Sequence, residues 1–104
     1  MIIYSITTAI DASIEKKWVK FMQETQIPLL MKTDLFIDYR LVRIIVSHGV
    51  DISYNLQLRC KGYDELNIFR AKNEPEMESL TKQNFEGKYA SFQSVLDQVS
   101  EGKA

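Results

Sequence analysis

The sequence predicts one α+β domain, a four-stranded antiparallel sheet with two helices on a single face. Three observations lead there. The stretch Leu35 to Cys60 reads as one long hairpin, and its return limb alternates without a break: Ile52, Tyr54, Leu56, Leu58 and Cys60 against Ser53, Asn55, Gln57 and Arg59. Period-two alternation is what a sheet with one buried and one polar face requires. A helical apolar stripe precedes this hairpin and another follows it, and a strand-forming segment stands at each end of the chain.

The first strand is Ile2 to Ala9, rich in β-branched and aromatic residues. Neither parity is strongly polar there, which suits a central strand with both faces covered. Asp11 and Ser13 can then accept hydrogen bonds from the free N–H groups of a helix start. The helix carries Ile14, Trp18, Phe21, Met22 and Thr25 on one stripe, with Glu15, Lys16, Lys20, Gln23 and Glu24 toward water. Pro28 disfavours helix at Ile27, so a break is expected near Gln26, with a short restart through Leu29, Leu30 and Met31. The hairpin follows, its limbs joined by Ser47-His48-Gly49-Val50-Asp51. After Gly62 a second helix carries Leu66, Phe69 and Asn73. Pro75 predicts a kink or break near Glu74 and a new piece containing Met77 and Leu80. Phe85-Glu86-Gly87-Lys88 is a turn, and Tyr89 to Val99 the last strand, with Ala90, Phe92, Ser94 and Leu96 on one face.

The order is β-α-β-β-α-β. With right-handed crossovers it gives a split βαβ, or ferredoxin-like, fold with both helices on one face of the sheet. Residues 1–99 form the single domain, and the polar residues 100–104 a frayed tail. The other sheet face is left bare. It is expected to carry Ser53, Asn55, Gln57 and Arg59 from the third strand and Tyr39, Leu41, Arg43 and Ile45 from the second. A second copy would cover such a mixed surface, because a two-fold contact needs only self-complementarity. Asn55, Gln57 and Arg59 are therefore the expected homodimer interface.

At 104 residues with net charge −1, the chain has no clustered basic face for nucleic acid. No apolar run approaches the ~20 residues that span a bilayer. One cysteine, Cys60, and one histidine, His48, leave no metal-ligand cluster and no intrachain disulfide. A cytoplasmic protein without cofactor is the default.

The segments Met1-Ile2-Ile3-Tyr4, Trp18-Val19-Lys20-Phe21-Met22, Ile27-Pro28 with Thr33 and Phe36, Ser53-Tyr54-Asn55-Leu56-Gln57 and Phe85-Glu86-Gly87-Lys88-Tyr89 through Leu96 span nearly the whole chain. Through them it resembles a family of short bacterial proteins known only as a domain of unknown function. That family is itself similar to the dimeric α+β barrel group, in which two ferredoxin-like sheets face each other. The resemblance implies such a dimeric barrel. Relatives often carry a histidine immediately before the Ile-Pro pair, where this chain has Gln26. Any acid–base work by that histidine is not expected here.

In that superfamily, pockets between helices and sheet bind flat aromatic substrates or haem. The candidate pocket is Tyr4, Trp18, Met22, Phe36 and Tyr54. Core packing explains each of these residues more simply, although a buried indole N–H or phenol needs a polar partner. His48 reads as an exposed turn residue, and Cys60 as an inert buried thiol. No phosphate loop, carboxylate pair or Ser/His/Asp ordering appears, so no catalytic residue is assigned. The residues favour a non-catalytic homodimer that binds a small hydrophobic ligand between helices and sheet. The alternative is a cofactor-independent monooxygenase or isomerase of the dimeric barrel type, which rests on fold analogy.

Overall fold

The computed structural model describes residues 1–45 and 52–103. The hairpin turn with His48 and Gly49 lies outside them. Strand β1 (Ile2–Ile10) is followed by a 3₁₀ turn (Ala12–Ile14) and helix α1 (Glu15–Phe21). A π-turn (Met22–Gln26) joins α1 to α2 (Ile27–Lys32). The hairpin is β2 (Asp38–Ile44) and β3 (Ile52–Cys60). Helix α3 (Tyr63–Ile68), a second π-turn (Phe69–Asn73), α4 (Glu74–Phe85) and β4 (Tyr89–Asp97) complete the chain. Asp11 caps the first turn by accepting from the Ser13 N–H at 2.9 Å. Gly87 takes φ +77°, which a side chain would strain, where the chain turns from α4 into β4.

The four strands are antiparallel in the order β2-β3-β1-β4, the ferredoxin-like arrangement. β1 is central, as its two apolar parities require. Its Ile2, Tyr4, Ile6 and Ile10 are buried against the helices with Leu56, Leu58 and Cys60 of β3. Trp18, Met22, Ile27, Leu30, Leu66, Phe69 and Phe85 come down from the helical layer to meet them.

Three expectations need correction. The sheet is not closed into a barrel: β2 and β4 are opposite edges with no partner between them, so the dimeric α+β barrel is replaced by an open four-stranded sheet. The register of β2 is shifted by one residue from that expected. Leu41 pairs with Leu56 and Arg43 with Tyr54, which puts Tyr39, Leu41 and Arg43 on the helix side and Arg40, Val42 and Ile44 on the outer face. A one-residue slip exchanges every side chain between faces, and β2 has apolar residues at both parities to permit the confusion.

Finally, neither proline breaks its helix. Ile27 and Glu74, the residues before Pro28 and Pro75, keep right-handed helical angles and donate to Met22 and Phe69, five residues back. A proline clashes with the carbonyl four residues behind it and has no N–H to give. Opening the turn to i→i−5 relieves both problems without ending the helix.

Candidate functional site

A cavity of about 750 Å³ lies between the helical layer and the sheet. β1 supplies Ile6 and Thr8, β3 supplies Leu56, and β4 supplies Tyr89, Ser91 and Gln93. Trp18 of α1, Met22 and Gln26 of the first π-turn, and Met77 and Thr81 of α4 form the roof. Ser91 and Gln93 are exposed although they face the helix side, so the cavity opens along edge strand β4.

The polar groups of this cavity are few and placed. Trp18 is 2% exposed, and its Nε1 is the buried side-chain polar atom without a hydrogen-bond partner among the described residues. Leaving such a donor unpaired costs about 1–3 kcal/mol, so it is a group to explain. Thr8 Oγ1 and Ser91 Oγ lie 3.0 Å apart across β1 and β4. Gln26, 3% exposed, donates from Nε2 to the Met77 carbonyl at 3.3 Å and to Thr81 Oγ1 at 3.2 Å, tying the first π-turn to α4. Burial, reinforced by Glu78 and Glu86, pushes the Tyr89 phenol above its ordinary range, so it stays a donor.

Of the residues proposed from sequence, Trp18 and Met22 line this cavity. Tyr54 stands behind Trp18, its ring centroid 5.0 Å from the indole at 42°. Its hydroxyl donates to Glu15 Oε2 at 2.8 Å. Tyr4 and Phe36 belong to a different cluster, packed edge-on against Phe69 at 5.7 and 4.9 Å. There the fully buried Tyr4 hydroxyl donates to Glu74 Oε2, whose Oε1 accepts from Arg70 Nε at 3.2 Å.

On the outer face, Asn55 donates to Ser5 Oγ and Thr7 Oγ1 at 2.8 and 3.0 Å. Arg59 donates from Nε to Asp38 Oδ1 at 2.7 Å and also meets Glu101 of the tail at 3.4 Å. Asn55 and Arg59 thus find partners within their own chain; Gln57 lines a groove beside Arg59. Cys60 is fully buried, and burial pushes its thiol up, away from reactivity.

Sequence reasoning did not assign Thr8, Gln26, Tyr89 or Ser91 to the site. The pairing of β1 with β4 brings Thr8 and Ser91 together. Gln26 could have been found from its place just before Ile27-Pro28, where a helix must adjust. Among the described residues, no group of three His, Cys, Asp or Glu is placed to hold a metal ion. No helix among them is long and apolar enough to cross a membrane.

The sequence profile of the DUF4286 family, a domain of unknown function, matches residues 1–99. The chain belongs to the DUF4286 family. No curated protein matches it. Among solved structures it is similar to SnoaB, a cofactor-independent oxygenase from Streptomyces nogalater, at 10% identity and TM-score 0.70, covering 96% of this chain and 94% of SnoaB. A Bacillus cereus protein assigned as an antibiotic biosynthesis monooxygenase matches at 15% identity and TM-score 0.69, covering 99% and 97% of the two chains. MhuD, solved with two manganese protoporphyrin IX molecules per active site, matches at 8% identity and TM-score 0.75 over the full length of both. At these identities the likeness is one of fold. The expectation of a non-catalytic protein is nevertheless corrected, because oxygenases recur among the structures that share this DUF4286 member's fold.

Proposed function

We propose that this protein is a cofactor-independent monooxygenase that oxidises a small, flat, oxygen-bearing aromatic compound in the cavity under Trp18. The observation that carries the reading is the buried, unpartnered Trp18 N–H in the wall of a cavity with an otherwise apolar inner end of Ile6, Met22 and Leu56. The names of SnoaB and the Bacillus cereus protein support the reaction class. A phenol or enol bound there would accept a hydrogen bond from the indole. That bond strengthens as the substrate ionises, because a charged acceptor binds a donor more tightly than a neutral one.

The substrate then serves as its own reductant. Its activated CH₂ group gives two hydrogens and gains one oxygen atom from O₂, yielding a carbonyl and one water. The apolar inner wall of Ile6, Met22 and Leu56 makes the indole donor worth more than in solution. Gln26 cannot serve as a base; its amide braces α4 against the first π-turn. Glu78 and Glu86, which line the cavity, are available to take the proton. Steady-state turnover of polycyclic phenols tests the proposal. Trp18→Phe should lower kcat/KM by about ten- to hundredfold, the worth of one donor to a charged oxygen. An unchanged rate in that variant would remove Trp18 from the mechanism.

The functional unit is proposed as residues 1–99, with 100–104 as a tail, in the cytoplasm, where a free buried thiol such as Cys60 is at home. A second copy is proposed on the outer sheet face, where Asn55, Gln57 and Arg59 lie among the exposed Val42, Ile44, Phe92 and Leu96. Patches of that kind mark association surfaces.

A further inference from the structure

We propose that Trp18 and Tyr54 form an electron relay that drains oxidising equivalents from the cavity to the protein surface. Four pairs of aromatic rings meet among the described residues, and three of them include a phenylalanine, which does not readily give up an electron. Trp18 and Tyr54 are the pair in which both rings can. One end of the relay, Trp18, lines the cavity. The other end, Tyr54, holds its hydroxyl 2.8 Å from Glu15. Glu15 is partly exposed and bridged at 3.2 Å by Arg43, whose side chain is half exposed. The relay thus runs from the cavity wall to the partly exposed Glu15 in two steps.

The proton inventory fits. Burial, and then the bond to Glu15, raise the Tyr54 phenol above its ordinary range, so it keeps its proton until an electron leaves. Losing the electron makes the phenol strongly acidic, and the Glu15 carboxylate is in place to receive the proton. The relay rests on the oxygenase reading for its natural oxidant, a substrate peroxyl radical. That radical takes an electron from the Trp18 ring and a proton from water and becomes the hydroperoxide. The indole radical cation takes an electron from Tyr54, while the phenolic proton passes to Glu15 and on to solvent. A soluble thiol returns one hydrogen atom to the tyrosyl radical and becomes a thiyl radical. The net change is peroxyl radical plus thiol to hydroperoxide plus thiyl radical.

Because Trp18 is the only tryptophan, pulsed ultraviolet photoionisation of the substrate-free protein starts the relay at a known place. The decay of the indolyl radical should match the rise of a tyrosyl radical and slow in deuterated water. In Tyr54→Phe, which keeps the packed ring, the indolyl radical should persist roughly tenfold longer or more and the tyrosyl signal should vanish. Glu15→Gln, which removes the proton acceptor, should slow the transfer while leaving the rings in place. Equal decay in wild type and Tyr54→Phe would overturn the relay. Since no substrate is present, relay transfer without oxygenase turnover would sink only the functional reading, and turnover without transfer would sink only the relay.

Discussion

Tyr4 and Glu74 show what a buried polar pair contributes to this fold. Tyr4 is fully enclosed, its ring lies against Phe69, and the Arg70 guanidinium carbon sits 5.3 Å from the ring centroid. Glu74→Ala strands the Tyr4 hydroxyl in the core and should cost about 1–3 kcal/mol in denaturant unfolding. Tyr4→Phe removes the donor and leaves Glu74 its Arg70 partner, so it should cost less. Burial first, and Glu74 second, raise the Tyr4 phenol above its ordinary value of 10. The unfolded chain therefore releases this proton before the folded one does. The stabilisation is whole below pH 10 and is lost as pH rises beyond it. Unfolding midpoints in wild type should fall above that pH, and should fall less in Tyr4→Phe; parallel decline in both would show that Tyr4 is not the group responsible. Burial of Tyr4 was legible in the sequence, but its partner was not, because Tyr4 and Glu74 stand 70 residues apart and a glutamate beside a proline reads as a helix start.

The helices owe their shape to two π-turns, each ending two residues ahead of a proline and each associated with a buried polar side chain. Gln26 ends the first turn and reaches α4; Glu74 follows the second and reaches β1. Gln26→Leu keeps the volume and gives up two neutral hydrogen bonds, so it should cost on the order of 1 kcal/mol. Gln26→Ala adds empty space and should cost more, a difference that thermal unfolding of the two variants would show. The number and order of elements were readable because strand and helix periods differ so plainly in β3 and α1. The π-turns were not, since proline marks where a helix must adjust but does not say whether it breaks or widens. The face of β2 was not either, because Leu41 and Val42 are both apolar and only pairing with β3 decides between them. Of the site, the sequence pointed to Trp18 and Met22 through their helical stripe. Thr8, Ser91 and Tyr89 depend on the pairing of β1 with β4, which no local pattern displays.

At the scale of the molecule, an open sheet leaves one face to the helices and the other to solvent. Phe92 is 63% exposed on that outer face, with Leu96, Val42 and Ile44 around a polar centre of Ser5, Thr7 and Asn55. If a second copy covers it, sedimentation of the wild type should give twice the chain mass, and Phe92→Glu combined with Leu96→Glu should return the single-chain mass. A wild type that sediments as one chain would rule out the proposed contact. The cavity on the helix side opens at the edge strand, with Trp18 in its wall and its carboxylates on α4 and the turn that follows. That polarity suits a substrate that enters with its acidic carbon toward Glu78 or Glu86 and its oxygen toward Trp18. The most direct measurement of the oxygenase reading is turnover of a polycyclic phenol under ¹⁸O₂, in wild type and in Trp18→Phe. One labelled oxygen atom per product molecule is expected, with formation slowed in the variant. No oxygen uptake, or product oxygen drawn from water, would contradict it.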